Sequence, residues 1–80
     1  QNKIAQASRL VLQGKTLANR EVEKSIKNKE KYNIEQSKKD AENAIPIFLE
    51  ALDIASDFAP AWFELGNAYY ELNKYKDAIR

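Results

Sequence analysis

Eighty residues form one small domain at most, and 13 Lys+Arg against 12 Asp+Glu leave a net charge of only +1. The 44% apolar and 31% charged residues fit a folded helical segment and not a disordered tail. Cys and His are both absent, which excludes disulfides, thiolate nucleophiles, zinc sites with the usual N/S ligands and any catalysis with His as base. The longest apolar run, Ala59–Phe63, contains Pro60 and is far too short to span a bilayer. Starting at Gln1 with no charged-then-apolar leader, the chain reads as a piece of a longer protein lacking targeting information, with a cytoplasmic location expected.

Only two Gly and two Pro occur, and Ala, Leu, Glu, Lys and Gln dominate, so helix is favoured nearly throughout and no strand is expected. A first apolar stripe, Ile4, Ala7, Val11, Gly14, Ala18, Val22 and Ile26, steps by three or four residues and predicts one helical face. The polar stretch Asn28 to Asn33 predicts a turn. A second stripe follows: Ile34, Ala41, Ala44, Ile45, Phe48, Ala51, Leu52 and Ala55. Pro46 lies within it. Either it kinks one long helix, or Asn43 caps a fresh helix with Pro46 in the first turn, where a missing N–H is harmless. Ser56-Asp57 and Pro60 mark another break. The third helix is predicted from about Pro60 to Leu72, ended by Asn73-Lys74, with a fourth beginning at Tyr75.

Charge is unevenly placed. Residues 1–39 carry ten cations against four anions, net +6, while residues 40–80 carry eight anions against three cations, net −5. Two solvated helix faces with complementary fields account for this. A nucleic-acid patch is disfavoured, because the cations alternate with Glu and the only aromatic near them is Tyr32, leaving no stacking platform.

Ala44-Ile45 recurs 34 residues later as Ala78-Ile79, and Trp62-x2-Leu65-Gly66-x2-Tyr69 precedes that second copy. In register, these residues resemble the tetratricopeptide repeat, a 34-residue pair of antiparallel helices. Ala59–Arg80 is similar to the first helix, turn and start of the second helix of one repeat, and Ala44, Phe48 and Ala51-Leu52 to the second helix of the repeat before. Gly66 is read as a close-approach position with Ala51 and Ala78 as small partners. Trp62, Leu65 and Tyr69 are read as a buried packing stripe. The good match covers residues 41–80. Upstream, Gly14 is the better equivalent of Gly66. Gly14 to Ala44 spans 30 residues where Gly66 to Ala78 spans 12, so the first repeat carries an 18-residue insertion, five helical turns. The expectation is a basic, Lys-rich extension near residues 20–39 that projects beyond an ordinary repeat.

The fold class expected is therefore all-α, antiparallel helical hairpins forming a tetratricopeptide-like α-solenoid fragment. Residues 1–58 make an elongated or interrupted helix pair, and 59–80 the first helix and part of the second helix of the following repeat. No embedded carboxylate pair and no Gly-rich phosphate loop is present, so no enzyme activity, catalytic residue, metal or cofactor is assigned. The resemblance implies a protein–protein interaction scaffold that binds a partner peptide or helix on its concave face. Carried over by position, its groove residues are Phe63, Asn67, Tyr70 and Glu71; the plainer alternative is that they cover a neighbouring repeat. Some family members clamp a C-terminal carboxylate with Lys, Asn and Arg. Asn67 matches the Asn of that clamp, but Phe63 stands at a Lys position and Glu64 replaces a cation, so the acidic chaperone tail that the clamp recognises is not expected to bind. Self-association as a homo-oligomer, through the partly covered Trp62, Leu65 and Tyr69 face, is the alternative function.

Overall fold

The first helix, α1 (Lys3–Ala18), starts where the Asn2 side chain accepts the Ala5 N–H at 3.2 Å, satisfying one of the donors that the first turn leaves open. It is followed after one residue by α2 (Arg20–Asn28). Asn19, at φ −99° and ψ 4°, is the only irregularity between them. Its N–H still bonds the Lys15 carbonyl at 3.0 Å and its carbonyl receives the Glu23 N–H at 3.1 Å, so the i→i−4 ladder is carried across. Lys29 ends α2 in the left-handed region (φ 56°), and Asn33 then caps α3 (Ile34–Ile54) by accepting the Gln36 N–H at 3.0 Å. A short connection leads to α4 (Ala59–Ile79), with Pro60 in its first turn. This computed structural model describes the backbone of residues 2–79 and the side chains of residues 2–74. Among them there is no strand, and no helix is long and apolar enough to cross a membrane.

α2 continues the line of α1, and the short connections after α2 and after α3 each reverse the chain, so α1 and α4 run in the same direction on α3. α3 packs against both, α1 also meets α4, and α2 approaches α3 and the end of α1 but not α4. The result is a slab of 42 × 27 × 15 Å with a radius of gyration of 13.5 Å, against about 12 Å for a compact globule of this length. Its core is built from alanines (Ala7, Ala44, Ala51, Ala55, Ala61, Ala68) around Phe48, Leu52, Leu65 and Val11. Side chains this small let the helix axes come close, and Gly14 takes this furthest: a Cβ there would sit 2.6 Å from Cε1 of the buried Phe48 ring.

A polar cluster locks α2 to α3. Asp40, fully buried, receives the Arg20 guanidinium at 2.5 Å and the Gln36 amide at 3.0 Å. Glu21, also buried, accepts the Asn33 N–H at 3.0 Å. Each carboxylate is thus hydrogen-bonded, which a buried charge requires.

Several expectations are corrected. α4 does not stop at Asn73-Lys74; it is one helix to Ile79, with no separate helix from Tyr75. That dipeptide contains neither Gly nor Pro, and propagating a helix adds a hydrogen bond per residue whereas a new helix must nucleate. Because α4 does not fold back, nothing lies within 4 Å of a Cβ at Gly66, and the close approach belongs to Gly14. Trp62 and Tyr69 are 55% and 52% exposed, leaving only Leu65 of that stripe in the core. Ala78, read as a small packing partner, has a side chain outside the described residues. The first stripe buries Ala7, Val11 and Gly14, but Ile4, Val22 and Ile26 are exposed. Pro46 lies inside a continuous α3, so Asn43 caps no fresh helix. Within residues 20–39 the predicted turn at Asn28 to Asn33 separates α2 from the first turns of α3.

Candidate functional site

The near-parallel α1–α2 rod and α4 stand on α3 as two walls, and between them opens a cleft of about 600 Å³. Its floor is Ala41 and Phe48 of α3, with Ala18 and Ala68 at the foot of either wall. Lys15, Asn19 and Val22 complete the α1–α2 wall. The α4 wall carries Phe63, Glu64, Asn67, Tyr70 and Glu71, with Lys74 at its far end. At the α2 end Tyr32 and Ser37 close the hollow, their hydroxyls hydrogen-bonded to each other at 2.6 Å.

All four groove residues expected from sequence line this one cleft. Phe63 and Tyr70, 66% and 68% exposed, rise from the outer edge of α4 and offer apolar area to anything entering. Asn67, one helical turn from each, presents an amide able to donate and accept. Glu71 lies 3.9 Å from Lys74. What sequence reasoning missed is the opposite wall and the floor. Lys15 follows Gly14 as Asn67 follows Gly66, so pairing the two glycines already contained that signal. The apolar stripe marks Phe48 and Ala41 only as core, because a residue flooring a cleft and one filling a core carry the same pattern.

Chemically the cleft is apolar at its base and rimmed by separated charges and amides. Among the described residues no cluster of three or more Asp and Glu side chains could hold a metal ion. Such a surface binds by burying apolar area and aligning a few polar groups. No curated protein and no solved structure matches the chain. A family model described as tetratricopeptide repeat matches residues 36–80, which takes in α4 and nearly all of α3. The match spans more than half of the chain and includes the floor and one wall of the cleft: the chain belongs to the tetratricopeptide repeat family.

Proposed function

We propose that the chain is a protein–protein interaction module that receives a segment of a partner protein in the cleft between α1–α2 and α4. Family membership supports the general reading, since these repeats are typically non-catalytic scaffolds. The observation that carries the specific one is convergence. Phe63, Asn67, Tyr70 and Glu71 are not needed for the core, yet they share one hollow with Lys15 and Phe48. Large aromatic side chains left in water around an apolar floor are the pattern of a recognition surface. A photocrosslinking residue in place of Tyr70, in the protein expressed in its own cells, tests this. It should capture a discrete partner, and the Phe63→Ala/Asn67→Ala double variant should lose the capture while keeping its helicity. Unchanged capture would refute the assignment, and lost helicity would return these residues to the core.

Self-association is the second reading, and the observation favouring it is the exposed Trp62 and Tyr69 on another side of α4. Light scattering over a wide concentration range decides it: a stable dimer dissociated by Trp62→Ala supports it, and a constant monomer mass of about 9.2 kDa rejects it.

A further inference from the structure

One side of α4 faces neither the cleft nor the core. Trp62, Gly66, Tyr69 and Asn73 follow at i, i+4, i+7 and i+11 and form one stripe along the helix. All four are exposed, the two aromatics by 55% and 52%. α4 packs only on α3 and α1, and a Cβ at Gly66 would meet no atom within 4 Å, so the middle of the stripe is bare. The indole N–H of Trp62 donates to the Ser56 carbonyl at 2.9 Å, which ties the ring to the turn before α4 and fixes its place on this face.

The stripe is self-complementary. Trp62 and Tyr69 lie equally far on either side of the Leu65–Gly66 step. A second α4, turned antiparallel about a twofold axis at that step, sets Trp62 against the second copy's Tyr69 and Tyr69 against the second copy's Trp62. Such an isologous contact closes on itself, and paired aromatic rings attract beyond their area alone. Charge selects the direction. Residues 53–57, which lead into α4, carry Asp53 and Asp57 and no cation, net −2. Residues 74–80 carry Lys74, Lys76 and Arg80 against Asp77, net +2. Antiparallel copies bring each acidic start beside the other's basic end, whereas parallel copies set like charge on like. Antiparallel helix dipoles act in the same sense.

From these observations, and resting on the self-association reading above, we propose that two copies of the chain pair through this stripe as an antiparallel, twofold-symmetric dimer. Phe63 and Asn67 lie on another side of α4, so both clefts stay open and the dimer is bivalent. Four half-exposed rings make less than a standard interface, so the dissociation constant is on the order of 10–100 μM. The pair needs no approach closer than the axis spacing of about 8–10 Å usual for packed helices, at which a methyl at position 66 is tolerated and a carboxylate is not.

The chain contains no Cys, so single cysteines report the register. Light scattering of the whole chain should show the mass rising from 9.2 kDa towards twice that value as concentration rises from about 1 to about 500 μM. Under mild oxidation Gly66→Cys should form a disulfide-linked dimer, because the two copies of position 66 meet beside the axis. Asn73→Cys should not, since its two copies stand about 22 Å apart along the antiparallel pair, far beyond disulfide reach. Gly66→Glu sets two carboxylates together at the axis and should weaken the dimer about tenfold or more; helicity is kept, because Glu is the better helix former. Leu12→Ser, at an exposed apolar residue of α1, should leave the mass curve unchanged. A constant 9.2 kDa over the whole range would overturn the self-association reading and this dimer with it. A mass increase with ready crosslinking of Asn73→Cys would mean a parallel pair, and one that Gly66→Glu leaves untouched would put the interface elsewhere. Either result overturns the antiparallel dimer while self-association stands.

Discussion

The two glycines make opposite demands on the same substitution. At Gly14 an added methyl would stand 2.6 Å from Cε1 and 3.0 Å from Cδ1 and Cζ of Phe48, a ring only 1% exposed and packed into the core. Alanine in a helix interior is favoured over glycine by about 1 kcal/mol, but forcing a methylene-sized group into a packed core costs about 1–3 kcal/mol, and contact this short belongs in the upper half of that range. Gly14→Ala is expected to destabilise by about 1–2 kcal/mol net. At Gly66 nothing lies within 4 Å, so only the propensity gain remains and Gly66→Ala should stabilise by about 1 kcal/mol. For a domain of this size each kcal/mol moves Tm by about 4–8 °C, so the two variants should separate by about 8 °C or more. Thermal and urea unfolding followed by circular dichroism at 222 nm measure this directly. If Gly66→Ala lowers Tm, another helix packs on Gly66 in solution, as happens when α4 folds back at Asn73-Lys74, and the reasoning from the straight α4 is refuted.

Arg20→Ala removes the cation from a buried carboxylate and should cost about 2–3 kcal/mol, less than a wholly buried pair because the Arg20 side chain is 57% exposed; Lys24→Ala, in the exposed pair with Glu30, should stay within about 0.5 kcal/mol in the same urea titration. Pro46→Ala restores a donor inside α3 and should stabilise by about 2–3 kcal/mol, since proline in a helix interior costs about 3; no gain in Tm would mean α3 is interrupted there. Phe48→Ala should cost about 3–5 kcal/mol. Trp62→Ala should cost well under half of that in the same assay, because a half-exposed indole loses little beyond its 2.9 Å bond to the Ser56 carbonyl.

Periodicity made most of the fold legible. The stripe from Ala41 to Ala55 is the face that α3 buries, and the polar run from Asn28 to Asn33 is where the chain turns. What periodicity could not reveal is which neighbour an apolar face meets. Val22 and Ile26 continue the α1 stripe without a break, yet they are exposed, because α3 at that level offers Ser37 and Asp40, which bond Tyr32 and Arg20 instead. The same gap misplaced Gly66 and Trp62. Their spacing carries the family signature, but burial needs a second helix lying on them, and α4 runs on without returning. Buried Glu21 gave no signal at all: a Glu in a run of Lys and Glu looks solvated until its Asn33 partner, twelve residues away, is in place.

The two walls of the cleft are held by different physics, and this bears on the binding proposed for it. The α1–α2 wall is fixed at two points: by the Gly14–Phe48 contact, where shape alone sets the distance, and by the Arg20–Asp40 and Glu21–Asn33 bonds, where partners must be met in one geometry. The α4 wall rests on Ala61, Leu65 and Ala68, an apolar seam with no side-chain hydrogen bond to α3 among the bonds described. Its large side chains Phe63 and Tyr70 stay about two-thirds exposed. On the cleft proposal, a segment entering the groove meets one wall pinned by polar bonds and another whose main apolar area is still in water. The gain on binding falls chiefly on α4, because burying Phe63 and Tyr70 removes apolar surface that folding left exposed. On the same proposal the α1–α2 wall serves specificity, since the Arg20–Asp40 and Glu21–Asn33 bonds keep its spacing whether or not the groove is filled.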